Sequence, residues 1–200
     1  MILVSGGLGY IGSFTLKLLG KNKAISIDNL SRGNLFAKKY ASNIQININN
    51  KKELNKIFKK FKIDTVLHLA AYTCVRESKD KPKIYKKNNL QNQKKFLNHI
   101  IKQGVKKIIF SSSYSAEGYS KKKSVIFSPY AKYKFLIENY LKKISKLNKV
   151  KIIILRYPNV VGASKNGKLG EKNNKISRIF PTFYNNINKN KKTILYYDYN

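Results

Sequence analysis

Two hundred residues are enough for one domain, or one and a half, and exclude a large multidomain assembly. With 42% hydrophobic and 12% aromatic residues the chain can bury a core, which excludes wholesale disorder despite 26% charged residues. The 42 Lys and Arg against 9 Asp and Glu leave a net charge of +33, a balance that ordinarily points to a polyanionic partner.

The kind of base argues against a nucleic-acid partner. Of the 42, 38 are Lys and 4 are Arg, whereas Arg is the usual tool for bidentate phosphate and guanine contacts. Lys, Asn and Ile, with 38, 23 and 24 copies, share A/T-rich codons, so mutational bias accounts for the excess more simply than a selected binding face. The Lys residues are scattered, and KKK at 121–123 is the longest pure run. One cysteine, Cys74, excludes an internal disulfide framework, and with only His68 and His99 beside it no metal site is expected. His68 reads as a strand-end packing residue and Cys74 as a small buried hydrophobe. Met1 runs straight into a short apolar strand without the longer stretch of a secretion signal, and no run approaches the roughly 18 apolar residues of a membrane span. A soluble, cytoplasmic protein is expected.

Short apolar, β-branched runs predict strands at 1–4, 24–27, 44–48, 65–69, 107–110 and 150–155. Helical spacing fills the gaps at about 10–19, 51–61, 83–103 and 129–146, with one more short helix at 34–41. Strands alternating with helices imply an α/β fold, a Rossmann-like doubly wound parallel sheet with helices on both faces. The unbroken run Ile152, Ile153, Ile154, Leu155 reads as a strand buried on both sides. After Arg156 the alternation fades into a Gly- and Asn-rich stretch, a short helix at about 176–187 and a last apolar run at 193–197.

Three features carry chemistry. Gly6, Gly9 and Gly12 stand three apart at the junction of the first strand and first helix, where close backbone approach and the helix N-terminus suit a dinucleotide diphosphate. Asp28 closes the second strand, where a carboxylate accepts from an adenosine ribose and repels a 2′-phosphate, favouring NAD over NADP. Tyr130 and Lys134 are four apart on the helix at 129–146, so the ammonium can stabilise a phenolate and make Tyr130 a base near neutral pH. Ser111, Ser112 and Ser113 follow the strand KKIIF at the carboxyl edge of the sheet, where a hydroxyl can bond a reacting oxygen.

In order along the chain, SGGLGYIGS at 5–13, DNLSRGN at 28–34, IDTVLHLAA at 63–71, VRES at 75–78, NNL at 88–90, FSSS at 110–113, SPYAKYK at 128–134 and LRYPNVVGA at 155–163 resemble the extended short-chain dehydrogenase/reductase family of NAD-dependent epimerases and dehydratases. GKLGE at 167–171 and the DNLS segment lean toward its UDP-glucose 4-epimerase members. The resemblance implies a cofactor domain at 1–157 and, at 158–200, a shortened remnant of the carboxyl-terminal substrate domain. It implies Tyr130 as catalytic base, Lys134 on the nicotinamide ribose and Ser113 on the sugar hydroxyl. NAD would lie against Gly6, Gly9, Tyr10, Ile11, Gly12, Asp28, Asn29, Asn47, Ile48, Leu69, Ala70, Ala71, Asn89, Ser111, Tyr130, Lys134 and Tyr157. A UDP-hexose would meet Ser113, Tyr130, Asn159 and Arg178, and turn over through a transient 4-keto sugar.

Tyr114 and Ser115 after Ser113, in place of an Asp-Glu pair, argue against a 4,6-dehydratase. The chain departs from the epimerase pattern at Thr73, Ala116, Glu117 and Pro158, and it ends at Asn200, before the Arg with which the family grips the nucleotide diphosphate. Two alternatives stay open: another extended-family enzyme acting on a different nucleotide sugar, and a degenerate, non-enzymatic NAD-binding or basic interaction module. Family members commonly form homodimers through helices corresponding to 83–103 and 129–146, both of which have Lys-rich surfaces here.

Overall fold

The computed structural model describes residues 1–33, 35–120, 128–171 and 179–192. In chain order these form β1 (Ile2–Ser5), α1 (Tyr10–Leu19), β2 (Ala24–Asp28), a 3-10 segment (Leu35–Tyr40), β3 (Ser42–Gln45), α2 (Lys51–Lys60) and β4 (Thr65–His68). Then come α3 (Val75–Asp80) and α4 (Pro82–Lys86), which runs through a π-helical turn (Lys87–Asn92) into α5 (Gln93–Lys102). The last are β5 (Lys107–Ser113), α6 (Ser115–Ser120), α7 (Pro129–Asn148), β6 (Lys151–Tyr157) and α8 (Ile179–Asn188). Neither α3 nor α6 is marked by apolar spacing, and the apolar run at 193–197 lies outside the described residues.

The strands order as β3-β2-β1-β4-β5-β6 and every pair is parallel. Strand order reverses between β1 and β4, so the crevice beyond their carboxyl ends is where such sheets take ligands. Alternate residues of β1, β2, β4 and β5 enter two different cores. Leu3, Ile25, Val66 and Ile108 pack with Leu54 and Ile57 of α2, Leu97 and Ile100 of α5, and Ile137, Leu141 and Ile144 of α7. Val4, Ala24 and Leu67 face the other way, onto Leu8, Leu16 of α1 and Ala37.

Local chemistry sets the helix ends. Asn50 caps α2 by accepting from Glu53 N at 3.2 Å, and Ser128 caps α7 by accepting from Ala131 N at 3.1 Å, with Pro129 at the first helical position. That cap fixes where α7 begins, and so which turn carries Tyr130.

The expectation that β6 is buried on both faces is wrong. Ile152 and Ile154 pack against the α2/α5/α7 core, but Ile153 and Leu155 are 55% and 37% exposed. The register explains this: Ile153 pairs with Ile109, on the face where the second core reaches only as far as β5. A continuous apolar run shows that both faces can be covered, not that both are. Replacing Leu141, fully buried, with Ala is expected to cost ~2–5 kcal/mol in urea unfolding. Ile153→Ala should stay within about 0.5 kcal/mol, and a core-sized loss there would show that β6 is covered on its second face.

Candidate active site

The glycine loop between β1 and α1 closes tightly. Gly6 has φ +74°, and a Cβ there would stand 2.7 Å from Ala70 N. At Gly12 a Cβ would collide with the Gly6 carbonyl oxygen and the Gly7 backbone. Gly9 N donates to Gly6 O at 3.1 Å and Ser13 N to Gly9 O at 2.9 Å, so Gly9 heads α1. No side chain caps that helix start, and an α-helix leaves its first-turn N–H groups without intrahelical acceptors. Such a cradle fits a diphosphate. Across the crevice mouth Tyr10 Oη donates to Gly162 O at 2.6 Å, drawing the loop after β6 toward the glycine loop.

At the end of β2, Asp28 accepts from Leu8 N at 3.1 Å and from Leu30 N at 2.8 Å. Burial raises its pKa, and these two N–H bonds offset only part of the rise. Each oxygen retains acceptor capacity for a ribose hydroxyl. Of its expected companions, Asn29 is exposed and accepts from Ser31 N at 3.1 Å, and Asn47 accepts from Asn49 N at 3.1 Å in a turn ahead of α2. Leu69, Ala70 and Ala71, which follow β4, are half-buried, with Ala70 against Gly6. Asn89, expected at the cofactor, is buried. Its Oδ1 accepts from Tyr72 N at 3.0 Å and its Nδ2 donates to Tyr72 O at 2.7 Å, bonds that fix the segment after β4.

Lys134 Nζ donates to Ser111 O at 2.5 Å and is 3% exposed. Burial brings its pKa down to about 7, with the Glu138 carboxylate opposing the fall. Tyr130, one turn earlier and buried, has its ring centroid 5.9 Å from the ammonium. Two residues beyond Ser111, the Ser113 hydroxyl shares a hydrogen bond of 2.8 Å with Ser115 Oγ and is paired in register with Tyr157 on β6. Asn159 lies exposed just beyond Tyr157, and Arg178 is outside the described residues.

The glycine loop and the Tyr130/Lys134 pair thus occupy the carboxyl ends of β1 and β5, with β4 between them. His68, buried at the end of β4 between them, makes a 2.6 Å hydrogen bond through Nδ1 with Ser5 Oγ and packs against Phe96 and Phe110. Cys74, expected in the core, is instead half-exposed and caps α3, its Sγ accepting from Glu77 N at 3.4 Å.

Residues 2–200 match the sequence profile of the NAD dependent epimerase/dehydratase family. The chain belongs to that family. It is 36% identical over 191 residues to UDP-glucose 4-epimerase GEPI48 of Cyamopsis tetragonoloba, covering 85% of this chain and 55% of the relative. It is equally similar, at 36% over 190 residues, to a probable UDP-arabinose 4-epimerase of Oryza sativa subsp. japonica, covering 85% of this chain and 47% of that one. In structure it resembles the UDP-glucose 4-epimerase of Thermotoga maritima solved with UDP-glucose, at TM-score 0.83 and 28% identity over 98% of this chain and 66% of that one. The Bifidobacterium longum enzyme, solved with NAD+ and UDP, matches at TM-score 0.78 and 30% identity over 88% and 58%. The chain spans about half the length of the curated relatives it matches.

Within this member of the epimerase/dehydratase family, sequence reasoning missed a buried polar cluster behind the Tyr130/Lys134 pair. Glu138 accepts from Ser112 Oγ at 2.5 Å and from Arg156 Nε at 3.0 Å and Nη2 at 2.6 Å. A usable signal existed: among only 9 acidic residues, Glu138 falls four after Lys134 on the apolar face of its helix. Also missed was Arg32, which lies 4.2 Å over the Tyr72 ring and bonds Glu77 at 2.5 Å, joining the loop after β2 to α3.

Burial first, and the Lys134 charge second, push the His68 pKa down to about 3; Gln93, which donates to Ala70 O, opposes this without a well-formed bond to the ring. Between about 6.5 and 3 the unfolded chain therefore binds a proton that the folded chain does not, and His68 removes roughly 1.4 kcal/mol of stability per pH unit as pH falls. His68→Gln should flatten the acid limb of a stability–pH curve by about that slope. An unchanged limb would mean that His68 titrates normally in the fold.

Proposed function

We propose that this protein is an NAD-dependent nucleotide-sugar 4-epimerase whose substrate is a UDP-hexose, with residues 1–157 as the cofactor-binding unit. The single observation that carries this reading is the Lys134 Nζ–Ser111 O bond, which sets a buried ammonium one turn from Tyr130 at the carboxyl end of β5, beside a glycine loop shaped for a diphosphate. The neighbours solved with UDP-glucose and with NAD+ and UDP support it. One free cysteine and, among the described residues, no helix long and apolar enough to cross a membrane fit a cytoplasmic setting.

Gly6, Gly9, Gly12 and the first turn of α1 would hold the diphosphate of NAD, Asp28 the adenosine ribose and Lys134 the nicotinamide ribose. When bound, NAD supplies a reversible hydride acceptor. Tyr130 takes the proton from the sugar O4, and Ser113 holds that oxygen by a hydrogen bond. Lys134 favours the Tyr130 phenolate through its charge, so the Tyr can act near neutral pH. The same Tyr130 returns the proton after the 4-keto sugar has presented its other face. Pairing of two chains through α5 and α7 belongs to this reading as a second expectation.

A second sugar is favoured by one finding, the equal identity to a UDP-arabinose 4-epimerase. Parallel assays with UDP-glucose and UDP-arabinose, with NAD supplied, decide between hexose and pentose. Tyr130→Phe should lower turnover on the true substrate by roughly 10²–10⁴-fold while leaving NAD affinity nearly unchanged. Gly12→Ala should abolish NAD binding in a calorimetric titration, because the added methyl meets backbone that cannot move away. Binding of NAD without turnover of any nucleotide sugar would reduce the reading to a cofactor-binding module, and binding of neither would overturn it.

A further inference from the structure

Behind Tyr130 and Lys134 the helix carries one more polar residue on the same face. Positions 130, 134 and 138 are one turn apart in succession, so Glu138 stands directly beyond the Lys134 ammonium. It is 1% exposed, and a carboxylate buried so deeply survives only where hydrogen-bond donors replace its water. Three do: Ser112 Oγ and the Nε and Nη2 of Arg156. Arg156 is anchored in turn by Glu117 of α6, 3.5 Å from its Nη1.

These partners tie together three consecutive serines with different duties. Ser111 presents its carbonyl to Lys134, and Ser112 points its hydroxyl at Glu138. Ser113 keeps its hydroxyl at the crevice end of the strand, against Ser115. The Glu138 carboxylate therefore touches the strand between the residue that holds Lys134 and the residue assigned to the sugar hydroxyl.

We propose that Glu138, clamped by Arg156 and Ser112, is a positioning residue for the Tyr130/Lys134 pair, keeping the buried ammonium protonated and holding the Ser111–Ser113 segment against α7. This rests on the reading of Tyr130 and Lys134 as the working pair. Among the described residues around Lys134, Glu138 is the anion that favours the ammonium, and the Arg156 cation bonded to Glu138 acts in the opposite sense. From β5 come the Ser111 carbonyl and the Phe110 ring, 4.8 Å from Nζ; from β4 comes His68, held neutral; from α7 itself come Tyr130 and Glu138. Arg156 on β6 and Glu117 on α6 stand behind the carboxylate. Glu138 is thus the anion next to a cation that burial alone would discharge.

The test is an NMR titration of the Lys134 side chain in lysine-labelled protein without cofactor, the signal being identified by its loss in Lys134→Met. With its midpoint near 7, it is separated from the surface lysines. Glu138→Gln should lower that midpoint by about one pH unit, a tenfold weaker hold on the proton, and Glu138→Asp should restore most of the shift. Should Glu138→Gln alone fail to fold, E138Q/R156K decides in the same way, since the flexible Lys can turn to Glu117 and to the solvent that Arg156 already meets. A folded variant lacking the carboxylate whose Lys134 midpoint is unchanged, with only its thermal midpoint lowered, would overturn the proposal and leave Glu138 a structural residue. NAD titrations from pH 6 to 9 add a second readout: the loss of affinity at high pH should begin about one unit lower in Glu138→Gln. Failure of the unaltered protein to bind NAD would count against the proposed function, while the Lys134 titration would still decide the role of Glu138.

Discussion

A lysine ammonium buried against a backbone carbonyl constrains everything around it. Lys134 has given up water for one short bond to Ser111 O, and burial brings its pKa down to about 7. That bond holds only if α7 starts where Ser128 and Pro129 make it start and if β5 runs as far as Ser113 before turning. The helix cap, the length of β5 and the polar cluster around Glu138 therefore form one arrangement. Moving any of them would separate Lys134 from its carbonyl or from its carboxylate.

The other half of the crevice depends on backbone alone. Gly6, Gly7 and Gly12 have no room for a side chain, so the loop presses directly on β2 and on Ala70. Asp28 then does two things: it takes the Leu8 N–H, which locks the loop, and it retains acceptor capacity for a hydroxyl. His68 joins the halves, since its ring bonds Ser5 under the glycine loop and lies within the electrostatic reach of Lys134. A protonated His68 would place two cations in one apolar pocket, which is why burial and Lys134 both push its pKa down.

Where sequence and structure agree, the signal was periodic or positional. Strands buried from both sides, helices with one apolar stripe, glycines at a strand–helix junction and Tyr130 four before Lys134 all repeat at the spacing their geometry demands. The misses have physical reasons. Helices α3 and α6 are only six residues each, too short for a period to show. The face of β6 that carries Ile153 is open because coverage is decided by which helices lie across a sheet, which a strand's own residues do not record. Asn89, on the π-helical turn, bonds the Tyr72 backbone, a contact that motif spacing does not carry. Glu138 and Arg156 are far apart in sequence and meet only once β6 lies beside β5.

The composition gains meaning from the same contacts. In a chain with 9 acidic residues, the two that are buried among the described residues are heavily partnered, Asp28 by two backbone N–H groups and Glu138 by Ser112 and Arg156, while the half-buried Glu77 is held by Arg32 and Tyr85. Among the described residues the Lys excess, Lys134 apart, falls on the surface, where charge is cheap to place and tolerant of drift. A field of +33 still acts at a distance: it draws any anionic nucleotide toward the molecule, and it weakens with added salt over a Debye length of about 10 Å at 0.1 M. Such a field raises encounter rates without choosing among nucleotides. Under the proposed reading that choice would fall to groups at the carboxyl ends of β1, β2 and β5, where a side chain at Gly6 or Gly12 would meet backbone, Asp28 accepts from Leu8 N and Lys134 donates to Ser111 O.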